Sequence, residues 1–361
     1  MPSLQPAQLH SFVVQVCLHL GSESVEAHLV ADQLVGANLA GHDSHGVGML
    51  PSYVSGALAG KLNVNQHTSV VTDSGPVLLL DGNRGFGQVM GHESMVAAVK
   101  RATTHGVALV GLRNSFHIGR IGHWGEQCAA AGLVSIHFAN VSGHEPLVAP
   151  YGGAAARFGT NPFCVSVPGV GAEPSLLLDM ATSKIALGKA RVAHNKGEAV
   201  PPDTLLDGNG RVTTDPVGMF AVPRQGALIA MGDHKGSGLA IVCELLGAAL
   251  LAGLVMSDET AKQNSIINNM LTIAIDPRKL GTASVLADEV GAYLDYVRTS
   301  SLREGFNEVL VPGEPERRSR TARAAGFDVD ATTLEQLRSA ARAAGMTGAD
   351  IDSLLGEASP S

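Results

Sequence analysis

The first 60 residues carry apolar side chains at helical spacing, interrupted once. Residues 5–18 and 24–38 repeat apolar positions every three to four residues, which predicts two helices, and residues 22–26 supply start signals for the second. The stretch Gly41-His-Asp-Ser-His-Gly46 breaks the pattern. It is polar and bounded by glycines, so it predicts a loop or tight turn. Residues 49–60 return to helical spacing.

From about residue 75 the period changes. Short apolar or β-branched runs at 77–81, 107–112, 134–140, 164–167 and 176–178 predict strands, and 91–105 and 122–131 predict helices between them. That alternation argues for an α/β architecture. Residues 82–87 read as a turn, and residues 184–212 are glycine-rich without a regular period. Further on, 235–254 predicts a helix, 270–275 a strand, and 287–300 a helix in which Tyr293 and Val297 share a face. Residues 309–311 predict the end of a strand and 334–345 a last helix, with Thr332 and Glu335 at capping-box spacing. The tail after Gly348 is expected to be loosely held.

Composition narrows the classes. Of 361 residues 43 are glycine, well above the usual share of about 7%, yet without the triplet period of collagen. Hydrophobic residues at 45% and charged residues at 16% exclude a disordered chain, and the length suits about two domains. The net charge is −8, and the one basic run, Arg317, Arg318, Arg320 and Arg323, follows Glu314 and Glu316. It reads as a solvated face, so no nucleic-acid partner is expected. Four separated cysteines among apolar neighbours read as buried free thiols in a reducing compartment. The N-terminus has no basic start, and its apolar run is broken by His10, Ser11, Gln15 and His19, so no signal peptide is expected. Residues 236–256 could pass for a membrane span, but Glu244 inside them would cost about 2.5–3.5 kcal/mol at a bilayer centre. A buried helix of a soluble, cytoplasmic protein, with no membrane partner, is the expectation.

The chain lacks both Gly-x-Gly-x-x-Gly and Gly-x-x-x-x-Gly-Lys-Ser/Thr. That removes the commonest dehydrogenase fold without removing dehydrogenase chemistry. Six polar clusters remain. In His42-Asp-Ser-His-Gly46 a histidine on a glycine-flanked loop is either an acid/base near pH 7 or part of a solvated turn. Asn114-Ser-Phe-His117-Ile-Gly-Arg120 follows a predicted strand; Arg120 is either a two-pronged grip on a carboxylate or phosphate or half of an internal Arg–Asp pair. Gly159-Thr160-Asn161-Pro162 offers donors or only a turn. Asp179 at a strand end, followed by hydroxyls to Ser183, suits a ribose or a helix start. Asp233-His234-Lys235-Gly236 opens an apolar helix, where an anion is favoured. Pro312-Gly313-Glu314 alone is a turn. His42 and His45 are three apart, but there is no His-Glu-x-x-His, and His144-Glu145 lacks a second histidine at the right offset, so no metal is expected.

Taken in order, these clusters resemble the malate/L-lactate dehydrogenase family that lacks a Rossmann fold. The residues carrying the resemblance are Ser44-His45-Gly46-Val47 with Pro51 and Tyr53, His117-Ile-Gly119, Gly159-Thr-Asn-Pro162, Asp179-Met-Ala-Thr-Ser183, Thr213-Thr-Asp-Pro216, His234-Lys-Gly236 and Pro312-Gly-Glu314. The segments 44–53, 117–122 and 126–132 look like its hydroxycarboxylate dehydrogenase B branch. The resemblance implies a non-Rossmann α/β (α+β) fold and a homodimer, with a helical domain (1–72 with about 235–361) and a mixed-sheet cofactor and substrate domain (73–234). It implies NAD or NADP as cofactor and a 2-oxo or 2-hydroxy acid as substrate. Carried over position by position, His45 is the general acid/base and His117 an alternative acid/base or orienting donor. Ser44, Tyr53, Arg120, Thr160 and Asn161 meet the substrate. The cofactor meets His45, Gly119, Arg120, Ile121, Asp179, Met180, Ala181, Thr182, Ser183, His234, Lys235, Asn268, Val311, Pro312, Gly313 and Glu314. Many relatives carry an arginine where this chain has Met49, which leaves Arg120 as the expected partner of the substrate carboxylate. A 2′-phosphate would want Lys184, Lys189 or Arg191, while the acidic net charge favours NAD. Two alternatives accompany this reading: a cyclic ketimine reductase of the same family, and a metal-dependent hydrolase or lyase using His42, His45, His117 and His144.

Overall fold

The computed structural model describes residues 3–356 except 170 and 172. After a two-residue strand β1 (Ser3–Leu4), helices α1 (Pro6–His19) and α2 (Ser24–Leu39) pack on each other through Leu9, Phe12, Val13, Ala27, Val30 and Leu34, all fully buried. Proline at the first turn of α1 costs no hydrogen bond there. The loop after α2 winds into two single 3₁₀ turns, Asp43–His45 and Val47–Met49, and runs into α3 (Leu50–Leu58).

A seven-stranded mixed sheet forms the centre. It comprises β2 (Ser69–Ser74), β3 (Val77–Asp81), β4 (Val107–Ser115), β5 (Val134–Ser142), β7 (Phe163–Pro168), β8 (Pro174–Met180) and β12 (Ile267–Ile275), in the order β2-β3-β4-β12-β5-β7-β8. Only β3 and β4 pair in parallel, joined by α4 (Gly87–His105); the other neighbours are antiparallel. Helix α5 (Gly122–Ala130) covers β7 and β8. The division of the chain at residue 235 therefore does not isolate the helices. β12 comes from the later segment yet lies mid-sheet between β4 and β5. Its residues are nearly all buried, so no alternation marks which neighbours it takes.

A second, four-stranded sheet joins β6 (Val148–Ala149), β9 (Leu205–Leu206), β10 (Val212–Thr213) and β11 (Ala227–Ile229). With α6 (Leu187–Lys196) and α7 (Val217–Phe220) it encloses its own small core of Leu147, Phe158, Ala190, Leu205, Met219 and Leu228. The aperiodic segment 184–212 thus supplies a helix and two very short strands.

Helix α8 (His234–Gly247) is not the buried helix expected. Its inner face holds Ala240, Cys243 and Gly247, while Ile241, Val242 and Leu245 are exposed outside. Among the described residues it is, with the 3₁₀ turn after it, the one stretch long and apolar enough to cross a membrane. Glu244 accepts hydrogen bonds from Asn140 Nδ2 (3.0 Å), Asn161 Nδ2 (2.6 Å) and the Met256 amide (2.6 Å), a fully partnered carboxylate. Helix α9 (Ala283–Arg298) buries only Leu294. The strand expected at 309–311 is unpaired coil, and the basic run forms an unexpected helix, α10 (Glu314–Arg323). Acids in its first turn and arginines in its last complement the helix dipole. β13 (Phe327–Asp328) pairs with β1. In α11 (Ala331–Ala343) the cap is Asp330, which accepts from the Thr333 amide at 2.8 Å, rather than Thr332. As far as residue 356 the tail is held: α12 (Gly348–Leu355) buries Ile351 and Leu355 against α1, and residues 357–361 lie outside the described residues. All four cysteines are free and buried.

Candidate active site

The loop after α2 is pinned before it carries any chemistry. Asn38 Oδ1 accepts from the Val47 amide (2.8 Å) and its Nδ2 donates to Asp43 (2.6 Å). Arg323 of α10 holds Asp43 at 2.7 Å, and His42 meets Glu316 of α10 at 3.1 Å. Gly46 is required here because a Cβ would lie 2.2 Å from Asn38 Oδ1. On this loop His45 places its Nδ1 3.2 Å from His117 Nε2.

His117 arrives from the loop after β4. The Ile118 carbonyl accepts from Trp124 Nε1 (3.1 Å) and Gln33 Nε2 (2.8 Å), and the Ile118 amide donates to Asn268 Oδ1 (3.0 Å). Gly119 follows in the left-handed region (φ 71°), where a Cβ would sit 1.8 Å from Gln33 Oε1. The two imidazole planes are within 5° of parallel with centroids 5.3 Å apart. With nitrogens in contact, that separation means the rings meet edge to edge, as a ring–ring hydrogen bond requires. Burial pushes His45 down to about 4 and His117 well below the usual imidazole range. For His45, nearby Asp179 opposes that fall, while His42 and Arg120 reinforce it. Both rings are therefore neutral at pH 7.

Asp179, at the end of β8, faces the same place. Arg120 is 2% exposed, and its guanidinium contacts Glu126 (2.5 Å) and Asp179 (3.3 Å); Arg320 also reaches Glu126 (2.7 Å). Arg120, expected to grip a substrate carboxylate, has its fork engaged by carboxylates of its own chain. Tyr53, expected to meet the substrate, is likewise engaged within the chain. It is fully buried, and its hydroxyl lies 2.6 Å from His117 Nδ1 and 2.8 Å from Gln88 Nε2. Asn161 is also buried, donating to Ala240 O and Glu244 and accepting from the Val141 amide. Asn268 spends its side chain on Ile118 and Asn140 O, so both asparagines hold backbone in place. Ser44 packs so closely on α6 that a Cβ on Gly188 would lie 2.7 Å from its own Cβ.

The other segments converge through backbone. The Thr182 amide and hydroxyl both donate to Thr160 O (2.9 Å each), and the Met231 amide donates to Thr182 O (2.8 Å). This aligns Asp179, Met180, Ala181, Thr182 and Ser183 with the start of α8. The amides of Lys235, Gly236 and Ser237 are taken by the preceding turn, so α8 offers the exposed side chains of His234 and Lys235 rather than free N–H groups. Beside them lies a hollow of about 300 Å³ walled by Gly152, Gly153, Ala154, Gly210 and Ala230, with Asp233 at its rim. Pro150, Tyr151, Leu206 and Ile229 also line it. The Pro312 carbonyl accepts from the Leu177 amide (3.2 Å), setting the turn of Val311, Pro312 and Gly313 beside β8. Glu314 braces that turn by accepting from the Val311 amide (2.8 Å) and from Arg298 (2.8 Å). Ile121, 3% exposed, opens α5 behind Arg120. Met49 packs against the main core. Among the described residues no three His, Cys, Asp or Glu side chains converge on a metal-sized point.

Sequence reasoning missed Gln33 and Gln88, which are 2% and 1% exposed and lead from Ile118 to Tyr53. The available signal was an amide side chain flanked by apolar positions of a helix: apart from Asp32, Gln33 stands among Val30, Ala31, Leu34 and Val35.

A mixed sheet without a dinucleotide-type glycine turn, and a neutral histidine pair beside a strand-end aspartate, define a non-Rossmann oxidoreductase. A family model for malate/L-lactate dehydrogenase matches residues 4–338, and the chain belongs to that family. Hydroxycarboxylate dehydrogenase B of Escherichia coli K12 is 48% identical over 341 residues, covering 94% of this chain and 93% of that protein. A solved E. coli structure assigned to malate/lactate dehydrogenase superposes with a TM-score of 0.93 at 46% identity, covering 98% of each chain. A Δ1-piperideine-2-carboxylate reductase from Pseudomonas syringae is more distant, with a TM-score of 0.80 at 26% identity over 94% of this chain and 100% of that one. The chain is a 2-hydroxy acid dehydrogenase, an oxidoreductase acting on the CH–OH group.

Proposed function

We propose that this protein interconverts a 2-oxo acid and its 2-hydroxy acid with NAD, using His45 as the group that exchanges a proton with the C2 oxygen. The single observation that carries the reading is the His45–His117 pair, held edge to edge beside Asp179. When bound, the nicotinamide supplies or accepts the hydride. The chain's part is to position the acid and manage charge on its oxygen. Neutral His45 accepts the hydroxyl proton in the oxidising direction and becomes imidazolium, and in the reducing direction that imidazolium returns the proton to the C2 oxygen. His117 orients it.

The cofactor would be held by the exposed His234 and Lys235, by the backbone of residues 179–183, and by the turn of Val311, Pro312 and Gly313. NAD rather than NADP is supported by the state of Lys184, which is paired with Asp203 and lies 3.6 Å from Asp233. A 2′-phosphate would have to compete with both. Met49 in place of an arginine supports a monocarboxylate substrate over a dicarboxylate such as malate.

A homodimer is supported by two solvent-facing surfaces: the apolar outer face of α8 and the nearly unburied α9 with Tyr293 and Tyr296 exposed. A cytoplasmic location accords with the four free thiols.

The test is an absorbance assay of nicotinamide oxidation across NADH and NADPH with a panel of 2-oxo acids, each with and without an amine donor. Activity on oxo acids alone supports this reading. Activity only with the amine would replace it by imine reduction. Loss on chelation of metal would replace it by metal chemistry.

A further inference from the structure

Five hydrogen bonds run in series from a backbone carbonyl to His45. The Ile118 carbonyl can only accept, so the Gln33 atom 2.8 Å away is its amide nitrogen. Gln33 Oε1 then faces Gln88 at 3.0 Å and must receive an N–H from it. The other N–H of the same Gln88 nitrogen points to the Tyr53 oxygen at 2.8 Å. Tyr53 therefore has its single proton free for His117 Nδ1, 2.6 Å away. With Nδ1 accepting, a neutral His117 carries its proton on Nε2 and donates it to His45 Nδ1 at 3.2 Å. A neutral His45 must then carry its own proton on Nε2. Reversing either amide would set oxygen against oxygen at Ile118 or between the two glutamines, so the chain has one direction.

We propose that Gln33, Gln88 and Tyr53 are positioning residues that lock His117 and His45 in their Nε2–H tautomers. The ligand-free site thereby presents an N–H toward the place of the substrate's C2 oxygen, and acceptance of the hydroxyl proton in the oxidising direction requires this tautomer to turn over. The part concerning substrate rests on the reading of His45 given above; the tautomers do not. The lock also opposes charging of His45. A second proton would sit on Nδ1 and meet the Nε2–H of His117, donor against donor. The other groups facing His45 are Asp179 from β8, His42 from its own loop and Arg120 from the loop after β4, while His144 faces His117. Gln33 and Gln88 lie on α2 and α4 and Tyr53 on α3, so three helices fix one proton. Gln88 Oε1 is buried with no partner, which is the cost of aiming the amide this way.

The experiment is long-range ¹H–¹⁵N correlation of the histidine rings in the ligand-free protein, with His45→Asn and His117→Asn for assignment, followed by the pH profile of kcat/KM for oxidation of the 2-hydroxy acid. The expected wild-type result at pH 7 is Nε2–H for both rings. Tyr53→Phe, which keeps the ring and removes only the proton donor, should give His117 a mixture of tautomers. It should also move the acid limb of the profile up by about one pH unit, and Gln88→Met should move it the same way. An Nδ1–H tautomer of His117 in the wild type overturns the proposal, as does a Tyr53→Phe protein with unchanged ring signals and an unchanged acid limb. Nε2–H rings in a protein inactive on every oxo acid would uphold the lock and overturn the substrate reading instead.

Discussion

His117 Nε2 lies 3.2 Å from His45 Nδ1 with the ring planes 5° apart, so the two histidines act as one hydrogen-bonded unit. His117 is 6% exposed, whereas His45 sits in a polar loop. His45→Ala should therefore lower turnover by about 10²–10⁴-fold, the usual worth of a positioned acid/base, with circular dichroism unchanged. Steady-state kinetics on the purified variant decides it; near-normal turnover would remove His45 from the chemistry.

Arg120 joins Glu126 to Asp179 inside the protein. Arg120→Met would leave Asp179, 6% exposed at its side chain, without its cation, with only Arg320 left on Glu126. A loss of about 3 kcal/mol of stability is expected, read as a shift in the urea midpoint. A variant of unchanged stability but raised KM for the oxo acid alone would restore Arg120 as a substrate clamp.

Gly119 adopts φ 71° against Gln33, 1.8 Å from where a Cβ would be. Gly119→Ala should cost about 1–3 kcal/mol and disturb the Ile118 carbonyl that Gln33 binds. Thermal denaturation measures the first, and the histidine ¹⁵N signals measure the second.

His137 is fully buried between Thr272 Oγ1 (3.0 Å) and Ser135 Oγ (2.9 Å), and burial pushes it down to about 3. The unfolded chain binds a proton near pH 6.5 and the folded one does not. Stability from this group is thus complete above pH 6.5 and falls as pH drops from there toward 3. His45 and His123, both lowered to about 4, act in the same direction. Between pH 6.5 and 5, His137→Gln should lose about 2 kcal/mol less stability than the wild type. Urea midpoints at the two pH values test this, and parallel losses would refute it.

Ile241 and Leu245 face outward from α8 at 46% and 53% exposure. Leu245→Glu should convert a dimer to monomers in sedimentation velocity while leaving each monomer folded, because the side chain touches no core. A wild-type monomer, or a variant still dimeric, would count against α8 as the interface.

The sequence by itself determined the local elements and the chemical inventory. Helical periodicity located α1 to α3, apolar runs located β3 to β5 with β7 and β8, and the order of histidine, aspartate and glycine clusters pointed to a non-Rossmann hydroxy acid dehydrogenase. These are legible because they depend on neighbours within a few residues. Tertiary structure alone decided which polar residues face a ligand and which face the protein. Tyr53, Asn161, Asn268 and Arg120 all look like binding groups along the chain, yet each spends its hydrogen bonds on partners 6 to 150 residues away. The place of β12 mid-sheet and the path from Ile118 through Gln33 and Gln88 have the same origin. Pairing and hydrogen-bond direction are set by groups brought together only when the chain folds, and a linear pattern carries no record of them.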